Sequence, residues 1–240
     1  MNVRAHRVGG PLVAFAPRLD SVAPRLLLGE FPTPTTEAPS IAAHYGIGRL
    51  IVKREDLTSR VYGGAKVRAL EFLLGAADAA GAKSVATLGP DASHHVFATA
   101  LFGTAAGFRV RAATFPQPET VDGPRLRARL RELGVEEMRA PLAALLWWAA
   151  AKARFTNFDG ARPKWIAAGG AAPIGVLGAA EAALELFASV DGGETPAPDA
   201  IVVPAGSCAT AAGVALGCAL AGRSPDVIAV RVTPRVVASK

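Results

Sequence analysis

Residues 53–74 read KREDLTSRVYGGAKVRALEFLL. A charged run leads to paired glycines, Gly63 and Gly64, and then to a stretch that reads as a helix opened by Lys66. Outward from this point the chain alternates helical stretches rich in Ala and Leu with short β-branched runs. Strands are expected at 50–53, 84–88, 109–114, 135–139, 164–167, 200–203 and 227–232. Helices are expected at 66–80, 94–106, 123–133, 142–155, 175–189 and 210–221. The strands are short and nearly all apolar, as in parallel sheets covered on both faces. Strand–helix alternation at this spacing predicts an α/β fold with parallel sheets.

At about 150 residues per domain, 240 residues make one large domain or two small ones. The chain is 51% hydrophobic and 19% charged, which supports a sizeable core and excludes a disordered chain. The net charge of +6 comes from arginine, twenty against six lysines, and these are scattered. The densest group, Arg125, Arg127, Arg129 and Arg131, falls on one expected helix and reads as a solvated face, so no nucleic-acid partner is expected. Cys208 and Cys218 are too few for a disulfide scaffold or a Cys-rich zinc site, and no HExxH is present. No metal site is expected. Residues 200–222 carry no charge over a length that could span a membrane, but Pro204, Gly206, Ser207, Gly213 and Gly217 make them read as strand, loop and helix. With no secretory signal in the first twenty residues, a soluble cytoplasmic protein is expected. Residues 30–40 (EFPTPTTEAPS), 156–163 (TNFDGARP) and 191–198 (DGGETPAP) read as irregular connections.

Four places carry candidate chemistry. Lys66 stands in the first turn of a helix, where the local field disfavours its charge, and a neutral amine is what Schiff-base chemistry needs. Position alone also fits an ordinary surface lysine after a turn. Gly206-Ser207-Cys208-Ala209-Thr210 joins a strand to a helix, and such a loop presents backbone N–H groups to an anion; it also fits a plain β–α connection. Asp91-Ala92-Ser93-His94-His95 follows a strand and opens a helix, with Ser93 or Asp91 as the N-cap. Adjacent histidines diverge and no GxSxG elbow exists, which disfavours metal ligation and a serine hydrolase. Gly169-Gly170 ends a strand and lets a ligand approach the backbone.

Taken in order, these pieces resemble one family. Residues 53–74 are similar to the K-R-[DE]-D-L-T…G-G-N-K-x-R-K-L-E-[FY] signature of the D-cysteine desulfhydrase and 1-aminocyclopropane-1-carboxylate (ACC) deaminase family, pyridoxal-phosphate enzymes of the tryptophan synthase β-like fold (fold type II). Residues 31–46 (FPTPTTEAPSIAAHYG) resemble its F-P-T-P opening. Ser93-His94-His95 falls on Q-S-N-H, Gly169-Gly170 on G-G-S-[NS], and GSCATAAG (206–213) on the phosphate loop G-S-G-G-T-x-A-G. The resemblance runs from Phe31 to the end of the chain.

It implies two α/β domains with pyridoxal 5′-phosphate between them: a smaller domain at 66–156 and a larger one combining 1–65 with 157–240. It implies Lys66 as the lysine that forms the Schiff base and moves protons at the substrate α-carbon, and Ser93 as a catalytic serine facing the substrate. It places His94 where the family's Asn bonds the pyridoxal 3′-oxygen, His95 at a substrate-contacting His, and Gly206, Ser207, Cys208, Ala209 and Thr210 around the phosphate. The reaction implied is elimination or deamination of a small amino acid, releasing ammonia and a keto acid, by a cytoplasmic homodimer. Ala65, Ala92, His94, Ala171-Ala172 and Cys208-Ala209 depart from the pattern. A glycine replaced in the phosphate loop is harmless only where φ stays negative. The last residues, VRVTPRVVASK, end just past an expected strand, whereas the family runs on to supply the partner of the pyridine nitrogen and an active-site tyrosine; the resemblance implies a C-terminally truncated chain. The alternatives are a catalytically impaired pseudoenzyme of this fold, or a relative such as a threonine dehydratase or cysteine synthase.

Overall fold

The computed structural model describes residues 6–7, 9–142, 145–158 and 160–233. The N-terminal segment is built from short pieces. β1 (His6–Arg7) pairs antiparallel with β2 (Arg25–Leu26), with α1 (Pro11–Phe15) and α2 (Leu19–Val22) between them. β3 (Thr35–Glu37) and β4 (Ile51–Lys53) form an antiparallel ribbon across α3 (Pro39–Tyr45). The stretch at 30–40, expected to be irregular, therefore contains a strand. Its Thr-Thr pair suits an extended ribbon, and Pro34 and Pro39 sit just outside the ladder, where a missing N–H costs nothing.

From Lys66 onward the expected alternation is present. α4 (Lys66–Ala79), β5 (Ser84–Pro90), α5 (His94–Ala105), β6 (Arg109–Phe115), α6 (Gly123–Glu132), β7 (Glu136–Arg139), α7 (Leu146–Phe155) and β8 (Lys164–Ile166) follow in order. The helix expected from 142 begins at Leu146; residues 143–144 lie outside the described residues. The four strands make one parallel sheet in the order β7-β6-β5-β8. The chain steps outward from β5 to β7, and α7 then carries it back to the other edge of β5. β8, which a division at 156/157 assigns to the larger domain, is hydrogen-bonded into this sheet with Val85 opposite Lys164. Strand order reverses between β5 and β8, so the loops leaving their carboxyl ends part and open a crevice.

Val85, Val110 and Ile166 pack on one face with Leu70 and Leu74 of α4, Val96 and Phe102 of α5 and Leu130 of α6. The other face is alanine on alanine: Ala149, Ala150 and Ala153 of α7 lie against Ala113 and Ala140. Small side chains bring the helix close to the sheet.

α8 (Pro173–Asp191), β9 (Ala200–Ala205), α9 (Ala209–Leu220) and β10 (Asp226–Arg231) complete the described chain. β9 and β10 pair in parallel, and α9 packs on them with Val214 and Cys218 against Val203. α8 is long and apolar enough to cross a membrane by length and composition. Here it is a core helix, packed on α1, α4 and α9, with Glu181 and Glu185 buried in ion pairs.

Buried contacts of this kind explain half of the eight charged residues in the 53–74 stretch. Arg68 is almost fully buried; its guanidinium bonds Glu55 Oε2 and Glu185 Oε2, each at 2.7 Å, and lies 4.2 Å from the Phe31 ring centroid. Lys53 Nζ donates to Glu185 Oε2 at 3.1 Å and to the Thr33 carbonyl at 2.5 Å. Burial pushes the Lys53 amine down, while Glu185 opposes the shift. Glu71 Oε1 accepts the Leu28 and Gly29 N–H groups, both at 3.0 Å. Lys53, Glu55, Arg68 and Glu71 thus tie the N-terminal segment to α4 and α8, and each buried charge has its partner, as burial requires.

Candidate active site at the sheet ends

The loop before Lys66 is fixed by its own sequence. Thr58 Oγ1 accepts the Gly64 N–H at 2.8 Å and lies 3.0 Å from the Gly64 carbonyl oxygen, to which it can donate. A Cβ added at Gly63 would fall 1.7 Å from the Asp56 carbonyl oxygen, so only glycine lets the loop press against the Asp56 turn. Asp-Leu-Thr and Gly-Gly are therefore two halves of one clamp, and it starts α4 with Lys66 as its first residue.

Lys66 is half-buried, not a surface lysine. Its Nζ donates to the Gly169 carbonyl at 3.1 Å, and no carboxylate among the described residues pairs with it. Burial holds its amine below the ordinary lysine range. Gly169 follows β8, with φ +65°. A Cβ there would lie 2.5 Å from Ser207 Oγ and 3.9 Å from Lys66 Nζ. The backbone of one loop, the amine of α4 and the hydroxyl before α9 thus converge at Gly169, where only glycine admits so close an approach.

Ser93 caps α5: its Oγ accepts from the His95 and Val96 N–H groups at 3.2 and 3.4 Å. Asp91 is not the cap; it pairs with Arg139 at 2.8 Å. The two histidines diverge as expected. His94 is exposed, and its Nδ1 is hydrogen-bonded to the Tyr62 hydroxyl. His95, expected at the substrate, is only 7% exposed, with Nε2 3.0 Å from Thr87 Oγ1. Burial, with the charge of nearby Lys66 adding to it, brings its pKa down to about 3 against a weaker pull from the Ala167 backbone. Its neighbour of consequence is Lys66, because Thr87 on β5 draws the ring beneath the crevice.

The 206–210 loop leads into α9, which begins without a side-chain cap, so its first-turn N–H groups stay available to an anion. Ser207 and Thr210 hydroxyls stand beside it, and Thr233 Oγ1 bonds the Gly206 carbonyl at 3.2 Å. Cys208 departs from the condition set for a replaced glycine: its φ is +63°. Ala92, on the other loop, has φ +60°. Two non-glycine residues in the left-handed region thus follow strands that lead into the candidate loops, and such strain tends to collect at functional sites.

Tyr62 and Thr58 were legible in the 53–74 stretch, yet nothing in a single sequence marks them as partners of His94 and of the glycine loop. Among the described residues no group of three His, Cys, Asp or Glu side chains could hold a metal ion.

Comparison with known proteins places this geometry. The sequence pattern described as "Pyridoxal-phosphate dependent enzyme" matches residues 26–240. The chain is 42% identical over 199 residues to nocardicin C-9′ epimerase of Nocardia uniformis subsp. tsuyamanensis, covering 77% of this chain and 57% of that protein. It is 33% identical over 219 residues to D-cysteine desulfhydrase of Salmonella typhi, covering 88% of this chain and 64% of that one. The crystal structure of an ACC deaminase homologue superposes with a TM-score of 0.72 at 26% identity, over 92% of this chain and 77% of that one. The chain thus spans about three-fifths of the curated relatives it matches. The fold is the expected tryptophan synthase β-like one, and its residues fit the family's cofactor: a half-buried amine with no carboxylate partner among the described residues, an uncapped helix start, and between them a glycine, Gly169, which Ser207 approaches too closely for any side chain. The chain belongs to the pyridoxal-phosphate dependent enzymes.

Proposed function

We propose that this chain carries the cofactor site of a pyridoxal-phosphate lyase or deaminase acting on a small amino acid and releasing ammonia and a keto acid. The observation that carries the reading is Lys66: a half-buried amine with no carboxylate partner among the described residues, 3.1 Å from the Gly169 carbonyl and beside Ser207. Pyridoxal phosphate, when bound, supplies the electron sink for bond breaking at the substrate α-carbon. The chain supplies the rest. Lys66 holds the cofactor carbonyl carbon and moves a proton at the α-carbon; burial favours the neutral amine that both tasks need. The N–H groups of 206–210 and the Ser207 and Thr210 hydroxyls hold the phosphate. Ser93 faces the substrate at the α5 start, His94 donates to the cofactor's 3′-oxygen, and His95 keeps the wall beside Lys66 uncharged. In the same proposal the enzyme is a cytoplasmic homodimer.

The 42% identity to a protein named as an epimerase favours a second reading, in which the proton is returned to the opposite face and nothing leaves. Borohydride reduction of the pyridoxal-phosphate-loaded full-length protein, followed by peptide mass spectrometry, is expected to find the adduct on Lys66. An adduct on Lys53 or Lys83, or none, overturns the assignment. Incubation with D- and L-amino acids in deuterated water separates the readings: keto acid and ammonia for the first, inverted and deuterated amino acid for the second.

A further inference from the structure

Tyr62 and His94 come from different elements, the loop before α4 and the first residue of α5. The Tyr62 hydroxyl and His94 Nδ1 are hydrogen-bonded. Their ring centroids lie 6.3 Å apart with planes 19° from parallel, the near-coplanar, end-to-end arrangement that this hydrogen bond sets. The Tyr62 ring also stands edge-on to Phe97, with centroids 4.8 Å apart, which fixes where its hydroxyl lies. Chemistry decides which partner donates. The unprotonated ring nitrogen of an imidazole, whose conjugate acid has a pKa of about 6.5, accepts far better than a phenol oxygen, and a phenol of pKa about 10 donates better than a neutral imidazole N–H. Burial and the charge of Asp122 push the Tyr62 phenol higher still, so it keeps its proton.

We infer that Tyr62 is a positioning residue for His94: its hydroxyl donates to Nδ1 and confines the neutral ring to the tautomer that carries its proton on Nε2. The hydrogen bond, made by a phenol fixed against Phe97, holds the ring, and the Nε2 edge then presents a donor N–H. The histidine at 94, a departure from the family pattern, and the tyrosine at 62 are one device, because a histidine stands in for a constant amide donor when something settles its tautomer. This inference rests on the proposed role of His94 as donor to the cofactor's 3′-oxygen for its purpose, but not for its existence.

Long-range proton–nitrogen correlation NMR on full-length protein labelled with nitrogen-15 histidine tests it directly, with the His94 signals identified by their loss in His94→Asn. Expected is an unprotonated Nδ1 and a protonated Nε2 in the wild type. Tyr62→Phe, which keeps the ring against Phe97, is expected to shift both nitrogens toward the average of two tautomers. A protonated Nδ1 in the wild type, or His94 signals unmoved in Tyr62→Phe, overturns the inference. A binding cycle gives a second readout. Tyr62→Phe is expected to weaken pyridoxal-phosphate binding about three- to tenfold, the worth of one neutral hydrogen bond, and to have no effect in a His94→Asn background, where no tautomer needs fixing. An equal loss in both backgrounds makes Tyr62 merely structural and overturns the inference. Failure of the Lys66 adduct in the wild type sinks the functional reading alone, since the NMR result does not depend on cofactor.

Discussion

In the four-stranded sheet, β5 is buried along nearly its whole length, between α4, α5 and α6 on one side and α7 on the other. In the β9–β10 pair, α9 covers one side; on the other, Val202, Ile228 and Val230 of the strands, and Val232 just beyond, are 63, 48, 48 and 63% exposed. Both sets of strands are short apolar runs, a composition that predicts covering on two faces. Apolar composition marks a strand as suited to burial, but the number of covering layers depends on what else the polypeptide brings. Here the relatives are longer than this chain, and the less covered sheet is the later one.

The two sheets are joined through α4 and α8, and the largest predicted effect comes from cutting that joint. Arg68→Met leaves Glu55 and the Phe31 ring without their cation and Glu185 with Lys53 alone, and removing one partner of a buried pair costs about 3–5 kcal/mol. Denaturant unfolding of the variant is expected to show a loss of that order. A loss below about 1 kcal/mol would mean that water reaches the pair and that the two sheets are joined by apolar contact alone.

A matched pair of truncations sharpens the contrast in covering. Ile166→Ala, at a β8 position 1% exposed, is expected to cost about 2–5 kcal/mol. Ile228→Ala, on the open face of β10, is expected to stay within about 0.5 kcal/mol. Equal losses in unfolding experiments would show that the open face is covered in solution.

The third prediction concerns pH and belongs to the covered sheet alone. His95 is held at about 3 in the folded state, below its unfolded value of 6.5. Above the unfolded value neither state binds the proton. As pH falls below it, the unfolded chain takes up a proton that the folded ring refuses, so the neutral ring costs stability progressively down to about pH 3. The slope for one such group is about 1.4 kcal/mol per pH unit. Between pH 6 and 4, the wild type is expected to lose stability more steeply than His95→Gln. Parallel curves would place the ring in water.

From β4 onward the elements lie within a few residues of where the sequence puts them, because buried parallel strands carry an unbroken apolar run and each helix between them is long. Lys66 was visible because paired glycines precede it. What stayed hidden is pairing at a distance. Arg68 meets Glu185 across 117 positions, and Tyr62 meets His94 across 32. No local pattern shows that four charges in the 53–74 stretch face an N-terminal segment rather than a substrate. β3 was missed for a different reason: three residues between prolines give too short a period to read. Backbone sign was hidden as well, since nothing in GSCAT says which residue turns left-handed.

That sign supplies the smallest and most discriminating prediction. Each sheet ends in a non-glycine residue with φ near +60°, Ala92 after β5 and Cys208 after β9. The left-handed conformation costs an L-residue roughly 1–2 kcal/mol, while glycine gives back about 0.4–1 kcal/mol through its freer unfolded chain. Cys208 is exposed, so Cys208→Gly loses little packing and is expected to stabilise by about 0.5–1 kcal/mol, raising Tm by about 1–3 °C. Ala92 is 4% exposed, and removing its methyl forfeits about 0.8 kcal/mol of burial, so Ala92→Gly is expected to be close to neutral. Thermal unfolding of the two variants separates strain from packing. If Cys208→Gly lowers Tm, the thiol is held by a contact worth more than its strain. If both variants gain equally, burial at the end of the covered sheet contributes nothing, and the two sheet ends differ less than their surroundings suggest.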